Sequence, residues 1–264
     1  MKIFVYSNSN EESLKIKEEL QERLTNQHEF SDKLDYSIQL VICIGGDGTF
    51  LRFLNAYDFP YVPILGINTG HLGFYQDFTY ESLCKAIENF EHDNYSLQKL
   101  NPIRIQIKSS RGTEVKHSLN EVTIKAFGNY PLHLNVALDG QNVERFNGDG
   151  LLISSSAGST AYNYSLGGSI VDPRLKLIQV SPIAPLNSTA YRSFTSSIVL
   201  PWDMTLSIKP ELHKHQEKIN IFYDGFTETY DDLEEISIRL SNSEVHLVRK
   251  GDYDFWTKAK EKFL

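Results

Sequence analysis

Two hydrophobic periods divide this chain, and the change between them falls close to residue 101. Before it, short apolar runs alternate with helical stripes. Lys2-Ile3-Phe4-Val5-Tyr6 reads as a strand, and over about 11–26 Ile16, Leu20 and Leu24 recur at every fourth residue among Glu and Lys, which predicts a helix. Leu40-Val41-Ile42-Cys43-Ile44 is apolar at every position and rich in β-branched residues, the pattern of a strand covered on both faces. A helical pattern follows it. Val62-Pro63-Ile64-Leu65-Gly66-Ile67-Asn68 is a third predicted strand, and residues 79–90 carry Leu83, Ala86, Ile87 and Phe90 on one helical face. Strand, helix, strand, helix, strand implies a parallel sheet, with ligand-binding loops at the carboxyl ends of its strands.

From Pro102 the period becomes alternating, beginning with Ile103, Ile105 and Ile107 separated by Arg104, Gln106 and Lys108. Further short runs occur at 122–125, 132–138, 141–146, 205–208, 219–223 and 236–240, with turn signals at Ser109-Ser110-Arg111-Gly112 and Asp139-Gly140. Many short strands of this kind predict an antiparallel sandwich. From Asp252 to Leu264 the pattern is helical again, with Phe255, Trp256, Ala259 and Phe263 forming an apolar side available to the first region. The expected fold is therefore an α/β N-terminal domain over 1–100, an all-β sandwich-like domain over 101–248, and a helical segment over 249–264.

Composition narrows the class without altering this picture. A chain of 264 residues with 41% hydrophobic and 23% charged residues is an ordinary globular protein, and its 15 Phe and 14 Tyr agree with substantial β structure. The net charge of -8 argues against sequence-independent nucleic-acid binding, and no apolar run reaches the length of a membrane span. The first residues enter a strand pattern without the features of a signal peptide, and the two cysteines, Cys43 and Cys84, are expected as reduced thiols in a cytoplasmic protein.

The chemistry concentrates where the central apolar strand stops, at Gly45-Gly46-Asp47-Gly48-Thr49. Three glycines leave only backbone around the Asp47 carboxylate, so phosphates can lie against main-chain N–H groups. Thr49 is expected to cap a helix beginning at Phe50, whose positive end favours the same anions. A carboxylate there suits a general base that takes the proton of an attacking hydroxyl. A plain Gly-Asp-Gly turn uses the same residues, so the spacing alone leaves both readings open. The loop Asn68-Thr69-Gly70-His71-Leu72-Gly73-Phe74 follows the third strand and is expected to turn His71 and Phe74 outward at the crevice.

In the β region, Asn120-Glu121 opens a strand, where an amide beside a carboxylate can hold sugar hydroxyls or a base edge. A second Gly-Asp-Gly, Gly148-Asp149-Gly150, leads into a strand and then into a run of small hydroxyl residues. Ser156, Ser159, Thr160 and Ser165 are expected to offer hydrogen bonds at close range, and Tyr162 a flat face for a base or ribose. No P-loop, no Gly-x-Gly-x-x-Gly fingerprint and no Cys-x-x-Cys or His-Glu-x-x-His metal site occurs, and His213 with His215 reads as a solvated loop. No protein-held metal is expected.

Taken together, Gly45 to Thr49, Gly66 to Phe74, Asn120-Glu121, Gly148 to Gly150 and Gly158-Ser159-Thr160-Ala161-Tyr162 resemble the NAD kinase family, in the same order and over nearly the whole chain. The resemblance is to bacterial members of Gram-positive type. It implies a phosphate-binding α/β domain, a β domain that binds NAD, a carboxyl-terminal segment packing back on the first, and a homotetramer with NAD sites near subunit contacts. It also implies a reaction in which ATP with Mg²⁺ gives its γ-phosphate to the 2′-hydroxyl of the adenosine ribose of NAD. By similarity Asp47 is the base, with Gly45, Gly46, Gly48 and Thr49 near the phosphates. Asn120, Glu121, Thr160 and Tyr162 would hold the adenine and riboses, Asp149, Ala161 and Ser165 the nicotinamide half, and His71, Leu72, Phe74 and Ala184 would line the pocket. Two positions depart from the family: Asn147 stands where Arg is frequent before Gly-Asp-Gly, and Ser156-Ala157 replaces a Pro-Thr pair before Gly158. A lipid or sugar kinase sharing the glycine–aspartate motif, and a catalytically silent NAD or NADP sensor, are the alternatives.

Overall fold

The strand Leu40–Ile44 lies inside a six-stranded sheet and is fully buried along its whole length. Across this sheet the order is Glu29–Ser31, Lys2–Ser7, Leu40–Ile44, Pro63–Ile67, Val245–Arg249 and Ser96–Leu100. The first five strands are parallel and the last is antiparallel to its neighbour. A computed structural model provides the coordinates and describes residues 1–70, 73–128, 130–189, 191–211 and 218–264. The chain forms two units, one of Met1–Leu100 with Glu244–Leu264 and one of Asn101–Ser243.

In the first unit side chains alternate between the two faces of the sheet. Ile3, Val5, Leu40, Ile42, Ile44 and Leu65 pack with Leu20 and Leu24 of the helix Glu11–Leu24 and with Leu83, Ala86 and Ile87 of the helix Leu83–Glu91. Phe4 and Tyr6 meet Phe53 of the helix Asp47–Ala56, at ring separations of 6.5 and 5.3 Å. Burying an aromatic side chain of this kind stabilises the unit by roughly 1.5–3 kcal/mol, so the helix that carries Asp47 is firmly seated. The helix Phe255–Phe263 packs through Phe255 and Phe263 on the ring of Phe74, each 6.0 Å away.

The second unit contains two six-stranded antiparallel sheets that share one core. Ile103, Ile105 and Ile107 from one sheet and Val122, Ile124, Leu151 and Ile153 from the other belong to that core. The run Ile103–Ser109 alternates as a half-buried strand should, whereas Glu121–Ala126 is buried over Val122 to Ile124 and Gly150–Ser155 is buried throughout. Among the described residues no helix is long and apolar enough to cross a membrane.

Element positions depart from the sequence-based expectation in a few places. The helix expected over 79–90 begins at Leu83, because Thr79 to Ser82 form a turn closed by the Ser82 hydroxyl on the Thr79 carbonyl. The first unit regains the chain at Glu244, earlier than residue 249, because Val245–Arg249 pairs with Pro63–Ile67. His71 and Leu72, expected to line a pocket, lie outside the described residues, as do His213 and His215.

Candidate active site

Three strands of the first unit, Lys2–Ser7, Leu40–Ile44 and Pro63–Ile67, deliver their following loops to one edge of the sheet. Gly45 ends the central strand at φ +146°, where its N–H donates to the Ile67 carbonyl at 2.9 Å. A Cβ there would lie 2.4 Å from Oγ1 of Thr49, so only glycine fits. Gly46 is the N-cap and Asp47 the first residue of the helix, which therefore starts three residues earlier than expected. Thr49 does not cap it. Its buried hydroxyl instead accepts hydrogen bonds from Asn8 Nδ2 at 3.2 Å and from the Arg52 guanidinium at 3.3 Å, tying the end of the first strand to the motif.

The Asp47 carboxylate is held from the loop after the third strand. Oδ2 accepts the Phe74 amide and Oδ1 the Tyr75 amide, both at 3.0 Å. A Cβ at Gly73 would stand 2.4 Å from Oδ1, so glycine is needed for this approach. Tyr75 is pinned by stacking on Phe50 of the same helix, with ring centroids 4.8 Å apart. Beside the carboxylate, the first-turn amides of Asp47 and Gly48 have no acceptor among the described residues. Nothing lies within 4 Å of a Cβ built on Gly46, and Gly48 is exposed, with the Arg52 guanidinium nearby. A helix N-terminus, an open glycine face and a cation thus surround one fixed carboxylate, an arrangement suited to a phosphate beside a proton acceptor. Sequence reading passed over Asn8 and Arg52, although Arg52 stands one turn beyond Gly48.

In the second unit Asn120 and Glu121 enter the strand Glu121–Ala126 under the control of a residue that sequence reading missed. Asp224 is buried at φ +45° in the turn between Ile219–Tyr223 and Phe226–Tyr230. It accepts the Ser118 hydroxyl at 2.8 Å and the amides of Leu119 and Asn120 at 2.6 and 2.9 Å. The signal was present as a fourth Asp-Gly pair, Asp224-Gly225, after an apolar strand. Glu121 accepts the Tyr162 backbone N–H, but burial and the neighbouring Asp224 charge outweigh that bond and push its carboxyl up to about 8. Its Oε2 is buried with no hydrogen-bond partner among the described residues. Glu121, Lys125, Tyr162, Tyr223 and Asp224 line a cavity of about 270 Å³, in which Lys125 Nζ donates to the Tyr162 hydroxyl at 3.2 Å.

The hydroxyl run separates into two groups. Ser159 is fully buried between the amide and carbonyl of Val171, and Ser156 is buried with its hydroxyl on the Leu175 carbonyl. These two hydroxyls hold the loop in place. Thr160, Ala161, Tyr162 and Ser165 lie at the partly open surface of the same turn, and Gly158 packs so closely on the Asn120 carbonyl that a Cβ would come to 2.0 Å. Asp149 and Ala184 are both exposed and adjacent, since the Asp149 amide donates to the Ile183 carbonyl at 3.0 Å. Ala184 adopts φ +44° and Asn147 is anchored through its amide to the Ser193 hydroxyl.

Comparison with known proteins covers the whole chain. Residues 3–95 match the ATP-NAD kinase N-terminal domain and residues 119–250 the ATP-NAD kinase C-terminal domain. An NAD kinase of Finegoldia magna is 36% identical over 268 residues, covering 99% of this chain and 97% of that one. One of Lactococcus lactis is 34% identical over 267 residues, covering 100% and 97%. A yeast NADH kinase, solved in complex with NADH, superposes with a TM-score of 0.86 at 19% identity, over 99% of this chain and 87% of that one. An NAD kinase from Archaeoglobus fulgidus in complex with ATP gives 0.76 at 24% identity, over 98% and 99%. The two solved structures share the fold; the family models and the curated relatives decide the family. This chain belongs to the NAD kinase family.

Proposed function

We propose that this protein is an ATP-dependent NAD kinase that transfers the γ-phosphate of ATP to the 2′-hydroxyl of the adenosine ribose of NAD, giving NADP and ADP. The observation that carries the reading is the Asp47 carboxylate, fixed by the Phe74 and Tyr75 amides beside a helix N-terminus whose first amides are free among the described residues. In the reaction the 2′-oxygen attacks the γ-phosphorus, its proton passes to Asp47, and the bond to the β–γ bridging oxygen breaks to release ADP. Gly45 gives the turn its shape, while Gly46, Gly48 and the free amides face the transferred phosphoryl group. Thr49, being buried, acts by anchoring the motif and Arg52.

Asn120, Glu121, Thr160 and Tyr162 are assigned to the adenosine half of NAD, and Asp149, Ala161, Ser165 and Ala184 to the nicotinamide half. Ser156 supports this surface from beneath; His71 and Leu72 are assigned to substrate contact, whereas the Phe74 ring, expected to turn outward, is buried against Phe255 and Phe263, so Phe74 serves through its amide on Asp47. Mg²⁺ enters as part of the ATP substrate. Bound there, it would neutralise the charge that builds on the β- and γ-phosphates. A homotetramer is also proposed; the edge strand Ile198–Pro201, with exposed Val199 and the neighbouring exposed Trp202, supports self-association.

The test is the product. Incubated with NAD, ATP and Mg²⁺, the purified protein forms NADP, and light scattering gives the mass of four chains. Phosphorylation of a lipid or sugar alcohol with no NADP formed would transfer the reading to the wider kinase group. Tight NADP binding without turnover would make the protein a sensor.

A further inference from the structure

The helix Phe255–Phe263 places Lys258 against the far side of the segment that holds Asp47. Lys258 is 7% exposed, and its Nζ donates to the Gln76 carbonyl at 3.0 Å, to the Phe74 carbonyl at 3.4 Å and to the Asp77 carboxylate. The Phe74 carbonyl and the Tyr75 N–H belong to one peptide group, and in a trans peptide they point in opposite directions. At one edge of that plane the carbonyl meets the Lys258 ammonium; at the opposite edge the Tyr75 N–H donates to Asp47 at 3.0 Å. A single rigid plane therefore links a buried cation to the proposed base.

The charges around Lys258 agree with this arrangement. Asp77 also accepts Arg249 Nη1 at 3.0 Å, and the Asp77 and Arg249 side chains are only 5% and 3% exposed. Two cations thus share one buried carboxylate, and the Asp47 charge also acts on Lys258. Burial pushes the Lys258 ammonium below the usual lysine range while Asp77 and Asp47 pull the other way. A surface tie between helix and loop would need no such burial. The helix is itself fixed by Asp254, which accepts the Thr257 amide at 2.7 Å, and by the rings of Phe255 and Phe263 on Phe74.

We propose that Lys258 is a positioning residue for phosphoryl transfer: by gripping the Phe74 and Gln76 carbonyls it aims the Tyr75 amide at Asp47 and holds that carboxylate ready for the substrate hydroxyl. The inference rests on the reading of Asp47 as the base. Misplacing a reacting group by even 1 Å can cost about 100-fold in rate, so the effect belongs in kcat.

The experiment compares steady-state kinetics of Lys258→Met, Lys258→Arg and Asp47→Asn in the full chain, each checked by thermal unfolding. Lys258→Met is expected to lower kcat by about 10- to 100-fold with KM for NAD and ATP within about twofold, and Lys258→Arg to recover most of the loss. Should the Met variant not fold, Lys258→Gln, polar and uncharged but one bond too short to grip both carbonyls, carries the same comparison. A folded Lys258→Met with wild-type kcat, or equal losses in the Met and Arg variants with both KM values raised, overturns the proposal. Turnover retained by Asp47→Asn would instead remove the base reading itself.

Discussion

Phe74 donates its amide to the Asp47 carboxylate at 3.0 Å, although 27 residues separate the two in the sequence. The bond joins the loop after the third strand to the first turn after the central one, so the geometry of the acid depends on a backbone that must pass very close to it. Gly73 is the residue that permits the passage. Gly73→Ala is expected to lower kcat by about 10-fold or more, by displacing a group that must sit within tenths of an ångström, with NAD binding retained. Wild-type kcat in the Ala variant would show that the Asp47 position tolerates movement.

Arg52 stands exposed one turn inside the helix, beside the open face of Gly48. An exposed charge near a phosphate is worth roughly 1 kcal/mol, so Arg52→Ala should raise KM for ATP by about 5- to 10-fold and leave KM for NAD unchanged. An increase confined to NAD would assign Arg52 to the other substrate.

Asp224 organises the Asn120-Glu121 corner through three accepted hydrogen bonds. Replacing it with Ala removes the acceptor of the Leu119 and Asn120 amides, at about 1–3 kcal/mol for each buried group left unsatisfied, while the Ser118 hydroxyl keeps the Glu121 carbonyl at 2.7 Å. Asp224→Ala is therefore expected to lower the melting temperature by several degrees and to weaken NAD binding, measured by calorimetry. A variant that binds NAD normally would separate that corner from the nucleotide site.

The raised carboxyl of Glu121 makes stability depend on pH with a definite sign. Burial and Asp224 lift its folded-state value to about 8 from the ordinary 4.5, with the Tyr162 amide opposing and the Lys125 ammonium lining the same cavity. Between those values the folded protein keeps a proton that the unfolded chain has released. This contribution is complete below about pH 4.5 and is lost as pH rises through about 8. Glu121→Gln removes it, so from pH 5 to 9 the wild-type melting temperature should fall more steeply than that of the Gln variant. Parallel curves would mean that Glu121 is ionised in the folded state at neutral pH.

Much of this architecture was legible because it is written in local patterns. Leu40–Ile44 is apolar on both faces because helices cover both faces, and the change to alternation near residue 101 marks a real change of unit. Val245–Arg249 was not legible as a strand of the first sheet. An apolar run that follows many strands looks like one more of them, and only pairing with Pro63–Ile67 assigns it elsewhere. Thr49 was misjudged as a cap for a related reason: its hydroxyl is taken by Asn8 and Arg52, the former a partner 41 residues away, and Gly46 takes the cap position. Ser156 and Ser159 look alike in sequence to Thr160 and Ser165, and only the fold shows that the first two spend their hydroxyls on backbone carbonyls.

The central claim is that Asp47 accepts the proton of the ribose hydroxyl during transfer from ATP. The most direct measurement is NADP formation by Asp47→Asn beside the wild type, with NAD binding to both followed by calorimetry. Loss of the base is expected to lower kcat by about 10²- to 10⁴-fold while NAD still binds, because the amide keeps the shape of the acid without its basicity. An Asn variant that turns over at the wild-type rate would contradict the account.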